Sequence, residues 1–249
     1  MIERATDGQV RVLTLAHGKA NALDLELCLA LADEVAAFAA SDDRALVLAA
    51  RGAIFSAGVD LKRVIAGGAA YVERFLPALE LAYERLFRLE RPVVTAIQGH
   101  AIAGGFVLAQ VGDRRLLARG GATLGAPELQ LGAAFPPFAV EILRAALPVE
   151  RLNAVLLTGE IVDADAALAN GYADELVLPE ALLDCAVAAA HALGGFPARP
   201  YALTKRALRA PALDVLARFG SAATRDVVMA WGSDETLAAV RAYAARTLA

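Results

Sequence analysis

Residues 9–15 mix apolar and polar positions in a short run that reads as a strand, and residues 24–40 switch to the spacing of an amphipathic helix with Asp24 placed near its cap. Residues 45–50 form a short apolar strand that leads straight into a glycine-punctuated loop. Helical periodicity returns over residues 69–89. Pro92 then restarts the chain, and the apolar strand 93–97 enters a second loop of the same kind. This strand, loop, helix order predicts an α/β arrangement with parallel pairing, in which active loops gather at strand ends.

After Gly171 the texture changes. One more strand is expected at residues 175–178, followed almost entirely by helical patterns over 179–193, 199–209, 212–230 and 234–248. The Gly194-Gly195-Phe196-Pro197 break marks a boundary, dividing a core of residues 1–195 from a helical region of residues 196–249. In that region Leu213, Leu216, Phe219, Val227 and Val228 recur on a pattern that requires a covering surface. Another subunit would supply it in a homo-oligomer; packing back on the chain's own domain is the alternative.

Composition narrows the function classes. The chain has 249 residues and is 58% hydrophobic, yet a charge, Gly or Pro breaks every apolar run well short of a membrane span of about 18 residues. The opening Met1-Ile2-Glu3-Arg4 lacks the basic and apolar stretches of a secretion signal, so a cytoplasmic location is expected. A net charge of −4, with no basic stripe interleaved with aromatics, argues against nucleic acid as a partner. Cys28 and Cys185 sit on separate apolar helical patterns and make neither a disulfide framework nor a metal cluster. His17, His100 and His191 are dispersed, so no metal is expected.

The chemistry is concentrated in the two loops, Gly52-Ala53-Ile54-Phe55-Ser56-Ala57-Gly58-Val59-Asp60-Leu61-Lys62 and Gln98-Gly99-His100-Ala101-Ile102-Ala103-Gly104-Gly105-Phe106. Neither contains an obvious nucleophile. Small residues let a ligand approach the main chain, and two N–H groups aimed at one point can hold an oxygen that becomes negative during reaction. The Gly-x-Gly-x-x-Gly dinucleotide fingerprint is absent from both loops, and Ser56 lacks the glycine two residues before it that a nucleophile elbow needs.

Lys19-Ala20-Asn21-Ala22-Leu23, the Phe55 to Lys62 loop, Pro92-Val93-Val94-Thr95-Ala96-Ile97 with the loop behind it, Asp113, Pro127-Glu128 and Ala169-Asn170-Gly171-Tyr172-Ala173-Asp174-Glu175-Leu176-Val177 recur in one order. In that order they resemble the crotonase, or enoyl-CoA hydratase/isomerase, superfamily over nearly the whole chain. The resemblance implies an α/β, ClpP-like spiral of repeated ββα units, with a helical C-terminal region that assembles homotrimers and often hexamers. It also implies an acyl-CoA thioester as substrate, with coenzyme A present only as part of that substrate and no separate cofactor. Val59 and Gly104 would supply the two N–H groups of an oxyanion hole. The main chain around Ser56 and Ala57 would hold the adenine end of coenzyme A, with Lys62 near the phosphates and Asp60 organising the loop as an acceptor.

The acids separate the reactions of such a family. Its hydratases carry two glutamates, one soon after the second loop and one in the Pro-Glu segment. Here Val107 occupies the first position, beside Phe106 and Leu108, and only Glu128 remains. Valine cannot activate a water, whereas one carboxylate and an oxyanion hole suffice to move a double bond from position 3 to position 2. Residues 124–138 resemble the corresponding segment of Δ3,Δ2-enoyl-CoA isomerases. Within it, Phe135 and Phe138 either line an acyl pocket next to Val107 or pack in the core. The expected activity is Δ3,Δ2-enoyl-CoA isomerase with Glu128 as proton shuttle. The alternatives are a hydratase-like lyase of the same family and an acyl-CoA binding protein without catalysis.

Overall fold

The computed structural model describes residues 1–247, so residue 248 of the expected last helix, and the end of the expected 196–249 region, lie outside the described residues. Along the chain run β1 (Ile2–Asp7), β2 (Val10–Leu15), α1 (Leu25–Ala39), β3 (Ala45–Ala50), β4 (Ile54–Ser56), α2 (Leu61–Phe87), β5 (Val93–Ile97), β6 (His100–Ile102) and α3 (Gly104–Ala109). They are followed by β7 (Arg114–Ala118), β8 (Thr123–Gly125), α4 (Pro137–Ala146), α5 (Leu152–Thr158), β9 (Ile161–Asp163), α6 (Ala164–Ala169), β10 (Glu175–Val177) and α7 (Leu182–Gly194). Helices α8 (Ala198–Val215), α9 (Ser221–Trp231) and α10 (Asp234–Thr247) complete the described chain.

The larger sheet has the order β1-β2-β3-β5-β7-β10 and is parallel from β2 onward, with β1 added as an antiparallel hairpin partner of β2. Strand β3 shows why its residues form a central strand. Successive side chains point to opposite faces, so Leu46 and Leu48 enter the main core while Ala45, Val47 and Ala49 face a second core built with Ala186 and Ala190 of α7. Small residues on the second face let α7 lie close to the sheet. Helix α1 begins where expected, with Leu27 N–H donating to Asp24 Oδ1 at 2.8 Å.

Several elements differ from the expectation, most of them for a local reason. Strands β4, β6, β8 and β9 have three residues each, too few for periodicity to register, so β4 and β6 were hidden within the two loops. Strand β1 was likewise not anticipated. Helix α2 starts at Leu61 rather than 69, because Gly68, at φ 55° and ψ −150°, breaks it into two helical pieces of which only the second was legible. Helix α8 passes through Pro211 instead of ending before it. Its preceding turns are held to the core by Lys205 Nζ donating to Arg91 O at 2.7 Å and by Arg209 donating to Phe87 O, Val111 O and Asp113. The break comes instead at a wide turn over Leu216–Gly220.

The α7–α8 connection falls at the Gly194 to Pro197 break, but the helices beyond it share the main core. Ala212, Leu216, Trp231, Leu237 and Val240 are buried with α1 and α2, and Leu213, Val227 and Val228 pack partly against the same cluster. Phe219 is 64% exposed.

Candidate active site

The smaller sheet, β4-β6-β8-β9, places the site. Strands β4, β6 and β8 are mutually parallel neighbours, so the segments that follow them leave the sheet at the same end. Those segments carry Val59, Gly104 and Glu128. The ends of adjacent parallel strands are where main-chain groups from separate loops converge on a ligand.

The first loop is braced by the Lys19 to Leu23 segment. Asn21 Nδ2 donates to Arg51 O and Ile54 O, while Ser56 Oγ donates to Asn21 O at 2.8 Å and accepts from Gly58 N–H at 3.2 Å. Leu23 N–H donates to Gly58 O at 2.8 Å, and Asp60 N–H donates to Leu23 O at 2.9 Å. In this parallel bridge the peptide groups on either side of Val59 are turned toward Leu23, so the Val59 N–H faces the other way. It donates to no protein group among the described residues.

The second loop ends in the first turn of α3. Ala103, at φ 55° and ψ −131°, precedes the helix; its N–H donates to Gly125 O at 2.8 Å, and its carbonyl accepts from Phe106 and Val107. Gly104 is the first helical residue, and its N–H also lacks a protein acceptor among the described residues. Two glycines bring the loops together. A Cβ on Gly58, itself at φ 80°, would lie 2.7 Å from Ala103 Cβ and 3.0 Å from Gly104 N, and a Cβ on Gly105 would lie 2.2 Å from Ser56 O. The main chains that carry the two free N–H groups are therefore in contact. Tyr83 of α2 donates its hydroxyl to Gly104 O at 2.8 Å and fixes that peptide from behind.

Glu128 opens a short 3-10 turn, Glu128–Leu131, that follows β8. The turn is anchored at its far side by Gln130 Nε2, which donates to Thr158 O and Gly159 O, and by Ala133 N–H donating to Glu128 O. The carboxyl is 6% exposed, and Oε2 has no hydrogen-bond partner among the described residues. Burial in this apolar setting pushes its pKa up to about 8. Complete burial likewise pushes the Tyr83 hydroxyl well above its usual range, so it stays protonated and able to donate to Gly104 O.

Beside these groups lies a cleft of about 470 Å³. His17, Lys19, Ala57, Asp60 and Lys62 line one part of it, and Leu61, Ile102, Leu131, Trp231 and Tyr243 line another. Val59 and Ala103 lie in its wall, as do Pro127 and Leu131 on either side of Glu128 in the chain. A larger hollow of about 600 Å³ lies by Arg44, Pro92 and Phe196 at the opposite end of the parallel strands. There Arg44 donates to Gly194 O and Phe196 O, and Arg91 to Phe38 O, Ala39 O and Asp43 O. No unpaired buried acid lines it, and the narrower cleft is the better candidate for chemistry.

The residues singled out from sequence divide into three groups. Val59, Ala57, Asp60 and Lys62 line the cleft, with Asp60 Oδ1 also accepting from Arg63 N–H at the start of α2. Gly104 and Glu128 do not line it themselves; each follows a residue that does, Ala103 and Pro127. Ser56 is fully buried with its hydroxyl engaged in the loop brace. Val107 and Phe138 are buried in the main core and Phe135 packs partly against it; none of the three lines the cleft. Tyr83, His17, Trp231 and Tyr243 were not anticipated as site residues. Lys19 stood in a recognisable motif without an assigned role, and Tyr83 and Trp231 are indistinguishable from core positions in a helical pattern.

A base must be ionised to work, so kcat/KM should rise with pH and level off above about 8 if Glu128 is that base. The stability of the fold should run the other way. A carboxyl whose folded pKa exceeds its unfolded value contributes fully below the unfolded value of about 4.5 and loses that contribution as pH rises through about 8. Glu128→Gln should therefore melt higher than the parent at pH 9 and nearly alike at pH 4, measured by calorimetry. An equal difference at both pH values would contradict the assignment.

Comparison with known proteins gives this geometry a context. The model of the enoyl-CoA hydratase/isomerase family matches residues 5–244. A carnitinyl-CoA dehydratase from Salmonella arizonae is 33% identical over 184 residues, covering 72% of this chain and 69% of that protein. A probable enoyl-CoA hydratase from Rhizobium meliloti is 31% identical over 207 residues, covering 82% and 79%. Among solved structures, human mitochondrial Δ3,Δ2-enoyl-CoA isomerase superposes with a TM-score of 0.93 at 25% identity, covering 98% of this chain and 97% of its own. Matched along nearly its whole length and carrying the crotonase fold, the chain belongs to the enoyl-CoA hydratase/isomerase family and is an acyl-CoA enzyme.

Proposed function

We propose that the protein is a Δ3,Δ2-enoyl-CoA isomerase in which Glu128 carries the proton. The thioester carbonyl of a 3-enoyl-CoA accepts hydrogen bonds from the N–H groups of Val59 and Gly104. Glu128 removes a proton from C2; the C–H electron pair forms a C1–C2 double bond as the carbonyl π pair moves onto the thioester oxygen, and the C3–C4 double bond stays in conjugation until C4 is protonated. Negative charge in the intermediate dienolate rests largely on the thioester oxygen, where each preorganised donor is worth about 3 kcal/mol. The protonated Glu128 then delivers the same proton to C4, giving the 2-enoyl-CoA and restoring the carboxylate.

The observation that carries this reading is the buried, unpartnered carboxyl of Glu128. Glu128 has a free oxygen and a pKa near neutrality, while Val107, at the position of a second acid in the family's hydratases, is fully buried among apolar side chains. A group with such a pKa both accepts and releases a proton readily. A second reading, addition or removal of water on an acyl-CoA, is favoured by the names of two relatives, carnitinyl-CoA dehydratase and probable enoyl-CoA hydratase.

An assay of the pure protein on matched 3-enoyl-CoA and 2-enoyl-CoA substrates separates the readings. The expected result is rapid formation of the conjugated 2-enoyl thioester, with hydration at least about 100-fold slower for want of a second acid. Rapid loss of the conjugated absorbance in water would favour the second reading. Tight thioester binding with neither reaction would make the protein a binder.

A further inference from the structure

The apolar part of the cleft is closed by the chain's own last helices, and one side chain occupies the critical position. Trp231, the last residue of α9, lines the cleft yet is only 2% exposed. Its indole Nε1 donates to Ala134 O at 2.8 Å, one residue beyond the Ala133 N–H that donates to Glu128 O. The ring is thereby fixed to the turn that carries the acid. A second tie joins the same turn to α10, where Thr236 Oγ1 donates to Gly132 O at 3.4 Å. On the far side, a Cβ on Gly232 would lie 3.3 Å from Ala69, immediately after the Gly68 break in α2. The tryptophan side chain is therefore buried and hydrogen-bonded to the segment that follows the Glu128 turn, at a point where the chain after it runs close to the second piece of α2.

We propose that Trp231 sets the acyl-chain length, making this a site for short-chain acyl-CoA thioesters. The inference rests on the acyl-CoA reading of the cleft and adds its substrate class. The cations Lys19 and Lys62 line one part of the cleft, and the apolar part adjoins Glu128 through Pro127 and Leu131. On the acyl-CoA reading the acyl chain takes the apolar part, whose wall includes the indole and the residues flanking the Glu128 turn. At about 470 Å³ the whole cleft is in the lower half of the ordinary ligand-pocket range and must also hold part of the coenzyme. Shared with the coenzyme, that volume favours a short chain, of about six carbons, over a long one. Each buried methylene that finds space adds about fourfold in affinity, so the gain should stop abruptly at the length where the chain reaches the ring.

The test is competition binding of saturated acyl-CoAs from about four to about sixteen carbons, which needs no turnover, run beside kcat/KM for the matching 3-enoyl-CoAs. Wild-type affinity should rise to about six carbons and then fall at least about tenfold by ten. Trp231→Ala and Trp231→Leu should each move the optimum to longer chains by several carbons, and Trp231→Phe should keep the parental order. Two variants of different size are used because either can be checked for a cooperative melt, and one folded variant suffices. Binding of ten to sixteen carbons by the wild type as tight as six would overturn the proposal, as would a folded variant with an unchanged order. A clear length ranking without any isomerisation would leave Trp231 in place and remove the isomerase reading instead.

Discussion

Glu128→Gln is expected to lower kcat on a 3-enoyl-CoA on the order of 10³-fold while leaving thioester binding nearly unchanged. Glutamine keeps the shape of the side chain and cannot take the C2 proton. The buried surroundings make the comparison clean, because the parent carboxyl is packed with one oxygen unpartnered and its replacement removes only a charge that burial already disfavours. Rapid kinetics on the folded variant, with affinity measured separately using a saturated acyl-CoA, would read both quantities. Retention of a tenth of the parental kcat would show that another group moves the proton. Asp60, in the cleft wall, would be the first to examine, although its carboxylate already accepts from Arg63 N–H.

A comparable loss is expected from removing a donor of the proposed oxyanion hole. Gly104→Pro deletes the N–H and puts ring carbon in its place; as the first residue of α3 the position otherwise tolerates proline. The expected fall in kcat is on the order of 100-fold or more. Gly104→Ala is the control, because it keeps the N–H. Its Cβ would meet the Tyr83 hydroxyl at 2.9 Å and Leu23 Cδ1 at 3.1 Å, so the crowding falls on the supporting residues behind the peptide and its cost should be smaller. A folded proline variant with near-parental turnover would mean that the thioester carbonyl is held elsewhere.

Much of this arrangement was legible because the decisive features lie in local patterns. The strands β3 and β5 announce themselves as apolar runs, and the glycines at 58 and 105 stand where the structure has backbone against backbone, with Gly104 held against the Tyr83 and Leu23 side chains. The small sheet was not legible. Its strands have three residues each, and their pairing is fixed by contacts across the chain, including the His100 Nδ1 hydrogen bond with Thr123 Oγ1 at 2.8 Å. The cleft wall was illegible for a related reason. Trp231 and Tyr243 reach it only because α9 and α10 fold back over the Glu128 turn, whereas Phe135 and Phe138, close to Glu128 in sequence, turn into or against the core. Proximity along the chain was a poor guide once the turn at Gly132, with φ 77°, redirected it.

The proposed hole is drawn in main chain and the proposed acid is a side chain, on segments braced by separate hydrogen bonds. The two functions therefore have unequal resistance to mutation. Nearly any residue other than proline at position 59 leaves its N–H in place, while every change at Glu128 except to another acid removes the base outright. A lineage of such chains drifting without selection for turnover would lose the reaction before it lost the grip on the thioester, and would pass through acyl-CoA binding proteins on the way. The same asymmetry operates in reverse. A new carboxyl arising in the cleft wall would find a charge-stabilising site already built, so a change of reaction is within reach of single substitutions that leave the fold untouched.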